Sequence, residues 1–327
     1  MPIYKNFHLK DLSYYKTGGF CKKLYQPQNE KELEEALKEI HKNSEKFFIL
    51  GAGSNSLVSD EPWDGSVLNL AEMKKLELKD DCEIVAEGGV TNFALSEFAL
   101  KNGLGDAAWM YGLPGSLGAT VRMNARCYGG EISQIVTRIV SFDENGIKKI
   151  YTNTPHEKKV FSGYKDTIFM KNNEIISEVT VHLKSQDKRI LKEKMISCYE
   201  DRKSKDQYEW PSCGCVFKND YRKEVSVPSG LLIDSCGLKG ASIGGAVLSE
   251  KHANFVQNRG ATSRDILELS LLIREKVWKD LGIWLQYEME ALGHFPADLE
   301  QKMKEKRIEN FNQKKIAELQ AKFQKKF

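Results

Sequence analysis

Apolar residues recur along the chain at two periods, and the changes of period mark out its elements. Leu33, Ala36, Leu37 and Ile40 share one helical face, with Asn29 placed as the cap and Glu32 three residues on. Phe47-Phe48-Ile49-Leu50 is too short for a helix and reads as a buried strand running into Gly51-Ala52-Gly53-Ser54-Asn55-Ser56. Glu83 to Glu87 reads as a strand ending at Gly88-Gly89, after which Thr91 caps a helix that stops at Gly103. Ile135 to Phe142 and Ile147 to Tyr151 flank Asp143-Glu144-Asn145-Gly146, a hairpin signal. Glu174 to Leu183 alternates as a half-buried strand, and a charged helix from Asp187 to Asp206 is expected to open a new domain. Near Thr262 another helix begins, buried through Ile266, Leu269, Ile273 and Val277 and ended by Gly282. Ile283 to Leu292 reads as a closing strand that carries Glu288. Beyond Pro296, Leu299 to Phe327 is dense in Lys, Glu and Gln, with sparse apolar positions such as Ile308, Phe311, Ile316, Leu319 and Phe323. It reads as an exposed helical tail, solvated or partly disordered rather than docked.

Composition narrows the class. A chain of 327 residues with 41% hydrophobic and 29% charged positions holds two or three ordinary soluble domains. The net charge of +3 implies no general affinity for polyanions, so nucleic acid is not expected as a partner. Met1-Pro2-Ile3-Tyr4-Lys5 lacks the charged-then-apolar run of a signal peptide, and no apolar run reaches the length of a membrane span. Seven cysteines suggest no disulfide framework and read as reduced thiols, which makes the expected location the cytoplasm.

The candidate chemistry is concentrated in Ser212-Cys213-Gly214-Cys215-Val216-Phe217-Lys218-Asn219. No second cysteine pair or nearby histidine completes a zinc site around Cys213 and Cys215, so no metal is expected. The Gly51 to Ser56 stretch follows a strand as a dinucleotide fingerprint would, but Pro62 and Gly65 argue against the helix which that fingerprint needs. Two readings remain for it: an anion nest of backbone N–H groups, with Ser54 and Asn55 as added donors, or an ordinary tight loop. Gly112-Leu113-Pro114-Gly115-Ser116-Leu117-Gly118-Ala119-Thr120 is a second small-residue segment. Together the two are placed to embrace a long ligand with two phosphates, or simply to pack backbone closely.

Seven segments in order resemble the family of UDP-N-acetylenolpyruvoylglucosamine reductases: Leu50 to Ser56, Leu113 to Gly118, Asn124 to Gly129, Tyr164 to Phe169, Gly214 to Asn219, Ser249 to Phe255 and Gly282 to Glu288. The resemblance covers about residues 5 to 294 and does not reach the tail. It implies an α+β chain. Two subdomains, 1–75 and 76–185, hold non-covalent FAD in the vanillyl-alcohol-oxidase (PCMH) fold; an α/β substrate domain spans 186–295, and the tail 296–327 follows. The interval from Lys165 to Cys215 is similar to the shorter, type II form of the family, which lacks a substrate-covering tyrosine loop.

The implied reaction is ping-pong: NADPH reduces the flavin, and the enolpyruvyl ether of the nucleotide sugar is then reduced to UDP-N-acetylmuramate for cell-wall synthesis. FAD would be held by Gly51, Ala52, Gly53, Ser54, Asn55, Ser56, Gly112, Pro114, Gly115, Ser116, Gly118, Ala119 and Asn124. Cys215 stands where the family has a proton-donating serine, and Glu288 falls on its catalytic glutamate, with Glu290 where an arginine is common. Lys165 departs from the family's Tyr-Arg-x-Ser, keeping the charge but losing the planar grip on a carboxylate, for which Arg122 or Arg126 are possible substitutes. Tyr164, Lys218 and Asn219 would meet the nucleotide sugar, while His252 and Asn254 read equally as packing residues. The expected working form is a monomer. The rival readings are another FAD enzyme of this fold, such as an oxidase of a hydroxyl-bearing substrate, and a binding protein that has lost catalysis.

Overall fold

The Asn29 side chain accepts the Glu32 amide at 3.0 Å and starts the helix Glu30–Lys42, as its sequence requires. Leu33, Ala36, Leu37 and Ile40 on its inner face pack with Tyr25, Leu68, Met73, Phe142 and Ile175. The computed structural model of the chain describes residues 1–153 and 160–324. These form two compact units. The first takes Met1–Phe7, Cys21–Ala52 and Asp64–Ser204; the second takes His8–Phe20, Gly53–Trp63 and the chain from Lys205 onward.

Two sheets build the first unit. A four-stranded sheet has the order Ile3–His8, Phe20–Tyr25, Trp63–Asn69, Phe47–Leu50, the last pair parallel. An antiparallel five-stranded sheet has the order Lys148–Thr152, Val136–Phe142, Ile175–His182, Glu83–Glu87, Leu76–Leu78. The hairpin forms where it was predicted, Phe142 opposite Lys148 across the Asp143–Gly146 turn. Ile175–His182 differs from its half-buried expectation. It runs through the middle of the sheet, where Val179 and Val181 pack with the helices Asn92–Asn102 and Leu117–Arg122, while Ile175 joins the core under Glu30–Lys42. A strand covered on both faces loses the alternation that reports a single buried face. The charged helix Lys188–Ser204 also departs from expectation: it belongs to the first unit, packing on Ala108–Met110 and Asn92–Asn102 through buried Leu191 and Met195.

In the second unit the helix Ser263–Leu281 lies against the small sheet Ser242–Ile243, Ala246–Leu248, Val256–Asn258. Thr262 and Asp265 cap it reciprocally, Oγ1 of Thr262 accepting the Asp265 amide at 3.1 Å and the Asp265 carboxylate accepting the Thr262 amide at 2.8 Å. Of the predicted closing strand only Glu290–Leu292 is regular, paired in parallel with Ser56–Val58; residues 283–289 run irregularly, with an isolated bridge from Tyr287 to Phe217. The expected exposed tail is docked instead. It forms the helices Ala297–Lys304 and Gln313–Gln324, and Leu299, Ile316 and Leu319 enter the unit's core. Its last expected residues, 325–327, lie outside the described residues. Three buried side chains spread over so polar a stretch are too sparse to show a periodicity.

Replacing Thr262 by Ala removes one half of the capping box. It is expected to cost about 1 kcal/mol, read as a lower midpoint in urea unfolding of the second unit's signal.

Candidate active site

Cys215 sits on an irregular stretch whose peptide groups find partners on two sides. The Val216 amide donates to the Asn254 carbonyl at 2.9 Å. The Asn254 side chain then closes on the next residue, its Oδ1 accepting the Phe217 amide at 3.0 Å and its Nδ2 donating to the Phe217 carbonyl at 2.8 Å. From the other side the Glu288 and Met289 amides converge on the Val216 carbonyl at 2.9 and 3.2 Å, and the Lys218 amide donates to Gln286 at 2.8 Å. Asn55 ties in the glycine loop: its Nδ2 donates to the Glu288 carbonyl at 2.9 Å, and its own carbonyl accepts the Glu290 amide at 3.0 Å. Cys215 and Glu288, both half-buried, therefore lie on neighbouring segments joined through Val216.

Cys213 is separated from this pair by burial. The loss of water pushes its thiol up to about 12, against the pull of the Tyr15 hydroxyl, and the Glu288 charge adds to the rise. It is a protonated packing residue at neutral pH. The Ser249–Phe255 motif proves to be the delivery of Asn254. Ser249 Oγ accepts the Lys251 and His252 amides at 3.2 Å each, and the His252 ring lies 4.4 Å from that of Phe255. Lys218 and Asn219 are anchored to the helix Ser229–Ser235: Ser229 Oγ donates to the Lys218 carbonyl, and Asn219 Oδ1 accepts the Ser229 amide at 3.0 Å.

Within the first unit, Lys165 occupies a left-handed turn at φ +51° and is buried. Asn124 Nδ2 donates to the Gly163 carbonyl at 3.1 Å and to Glu131 at 2.7 Å, while Thr167 Oγ1 donates to the Arg122 carbonyl. The Arg126 guanidinium stacks 4.1 Å from the Tyr164 ring centre, with the Lys165 ammonium 6.0 Å from the same ring. Two cations thus lie near one aromatic ring. Arg122, the other expected substitute, contributes its backbone there.

The small-residue segments also meet in the first unit. A Cβ on Gly51 would lie 2.9 Å from Ser116 Oγ and 3.5 Å from the Ala119 methyl, so the bare backbone of residue 51 lets the second segment pack close against it. Gly112 and Gly115 take positive φ in the turn leading to Ser116 and the helix Leu117–Arg122, whose Leu117 and Gly118 amides donate to the Val90 and Gly88 carbonyls at 2.7 and 2.9 Å. Small side chains thus line the meeting of the two segments, which suits a cofactor whose diphosphate must approach backbone closely. Gly53 is required for a different reason: at φ +70° a Cβ would meet the Leu12 carbonyl at 2.1 Å. Gly53, Ser54, Asn55 and Ser56 belong to the second unit, Gly51 and Ala52 to the first.

Asn254→Leu strands the Phe217 amide and carbonyl in a buried position and is expected to cost about 2–4 kcal/mol in urea unfolding. The Cys213 thiol, held above its ordinary range, stabilises the fold fully below pH 9 and loses that contribution as pH climbs toward about 12. Cys213→Ala should therefore flatten the fall of stability above pH 9, and at pH 8 native Cys213 should resist iodoacetamide while half-buried Cys215 reacts.

The family model described as UDP-N-acetylenolpyruvoylglucosamine reductase, C-terminal domain, matches residues 206–292, and that of an FAD binding domain matches residues 22–147. The UDP-N-acetylenolpyruvoylglucosamine reductase of Borreliella burgdorferi is 38% identical over 89% of this chain and 94% of its own. That of Clostridium perfringens is 35% identical over 86% of this chain and 90% of its own. The crystal structure of the Thermus caldophilus enzyme superposes with a TM-score of 0.73 at 29% identity, covering 89% of this chain and 99% of that one. With its fold and these relatives in agreement, the chain belongs to the UDP-N-acetylenolpyruvoylglucosamine reductase family.

Proposed function

We infer that this protein reduces UDP-N-acetylenolpyruvoylglucosamine to UDP-N-acetylmuramate, a step of peptidoglycan precursor synthesis, with FAD as carrier and NADPH as reductant. The observation that carries the assignment of roles is the convergence of Cys215 and Glu288 on one backbone frame around Val216. Reducing the vinyl group of an enolpyruvyl ether requires a hydride at its terminal carbon, stabilisation of the charge that spreads over the neighbouring carbon and carboxylate, and a proton for that carbon. FAD supplies the hydride when bound, and Gly51 to Ser56 together with Ser116, Gly118 and Ala119 are the residues that would hold it.

Cys215 supplies the proton. A thiol is a far stronger acid than the serine hydroxyl it replaces. Its half-buried position allows reprotonation from water after each turnover. Glu288 orients the substrate carboxylate beside it. Lys165 contributes positive charge to that carboxylate, and Arg126, stacked on Tyr164, supports it with the planar guanidinium that lysine lacks. Lys218 and Asn219 meet the nucleotide sugar. All these residues come from one chain, so the reading needs no second copy. Among the described residues no helix is long and apolar enough to cross a membrane. The substrates, a nucleotide sugar and a nicotinamide nucleotide, point to the cytoplasm.

Stopped-flow mixing tests the assignment. NADPH should reduce the flavin of Cys215→Ala at the parental rate, while reoxidation by UDP-N-acetylenolpyruvoylglucosamine slows by about a hundredfold or more. Cys215→Ser should recover most of that loss. Unchanged reoxidation in Cys215→Ala removes the proton-donor role, and no substrate-dependent reoxidation in the parent protein sinks the reductase reading itself in favour of a lapsed binding protein.

A further inference from the structure

The segment after Pro296 crosses the second unit and makes its most specific contact through Glu309. Oε1 of Glu309 accepts the Trp284 amide at 2.8 Å and Arg222 Nη2 at 3.0 Å, and Oε2 accepts Arg222 Nη1. Arg222 in turn grips Asp220, its Nε lying 2.9 and 3.0 Å from the two carboxylate oxygens, and its guanidinium lies 5.2 Å from the Phe311 ring centre. One carboxylate thus joins two stretches that have no regular secondary structure to hold them. The first is the loop Lys218–Val227, closed by a bridge between Asp220 and Val227 and leading to the Ser229 anchor of Lys218 and Asn219. The second runs from Trp284 to Gln286, which accepts the Lys218 amide, and on to Glu288.

The remaining contacts keep the carboxylate in place. Gln320 Nε2 donates to the Val225 carbonyl at 2.9 Å, and Ile316 and Leu319 share a core with Val225 and Val227. The Trp284 indole donates to the Glu305 carbonyl at 2.8 Å, and Arg307 lies over the Trp278 and Trp284 rings while pairing with Glu275. Where the segment passes Gly282, a Cβ on that glycine would come within 1.7 Å of the Asn310 carbonyl, so the crossing fits only a glycine. An isolated exposed ion pair contributes little. Here the same carboxylate accepts a backbone N–H and both terminal nitrogens of an arginine, and its side chain is only 21% exposed.

We propose that the C-terminal segment is a strap that fixes the nucleotide-sugar side of the site, with Glu309 as its positioning residue, acting on Lys218 and Asn219 through Arg222 and through the Trp284–Gln286 stretch that accepts the Lys218 amide. The proposal rests on the reading that Lys218 and Asn219 meet the nucleotide sugar. Its signature is a loss of substrate affinity with the chemistry preserved, because the groups that react are held by Asn254 and Asn55.

The test uses the full-length holoenzyme with Glu309→Ala and Glu309→Gln, in steady-state kinetics at saturating NADPH and in hydrogen exchange over residues 219–227 and 284–288. Glu309→Ala should raise KM for UDP-N-acetylenolpyruvoylglucosamine about tenfold with kcat within about twofold, and both segments should exchange faster. Glu309→Gln, which keeps an acceptor for the Trp284 amide, should recover part of the affinity. An unchanged KM overturns the proposal even where the melting temperature falls, since a merely structural strap would move only the latter. Hydrogen exchange needs no turnover and so separates the two readings. If the parent protein does not reduce the substrate, the assigned function fails; unchanged exchange in Glu309→Ala would then overturn the strap independently.

Discussion

The candidate site depends on one requirement: the peptide groups around Val216 are buried in a stretch that belongs to no sheet, and each must still find a partner. Asn254 answers for Phe217, the Glu288 and Met289 amides share the Val216 carbonyl, and Asn55 closes the far side of Glu288. The backbone at 215 and 288 is thereby fixed in mutual position. Two asparagines far apart in sequence do this work because an amide carries donor and acceptor on one rigid plane and can stand in for a missing strand.

The glycine loop serves two masters. Gly51 lacks a side chain so that Ser116 and Ala119 can pack against it, whereas Gly53 lacks one so that the Leu12 carbonyl can approach. Two residues further, the side-chain amide of Asn55 donates to the Glu288 carbonyl. The same small-residue stretch thus contributes to both units without forming a helix, the feature that distinguishes it from a dinucleotide fingerprint.

The proposed chemistry falls on two positions where this chain departs from the pattern it resembles. Lys165 and Arg126 both lie near the Tyr164 ring, and a thiol, as at 215, is more acidic than a serine hydroxyl. The neighbouring Cys213 takes no part, since burial keeps it protonated beside Tyr15.

What the sequence determined by itself was local: caps, glycine stops, the hairpin and the helical faces each rest on residues within a few positions of one another, and Asn29, Thr91, Thr262 and Gly282 do in the fold what their spacing requires. The motifs around Cys215 and Glu288 were legible too, through resemblance. Tertiary structure alone decided the rest. Asn254 was indistinguishable from any packing amide until Phe217 came beside it, and Ile175–His182 lost its alternation by being covered twice. The tail was misread as exposed because a strap needs only a few buried anchors, and Leu299, Ile316, Leu319 and the Glu309 carboxylate are paired with residues whose proximity no local pattern records. Local propensity is written in neighbouring residues; the satisfaction of buried polar groups is a property of the whole chain in space.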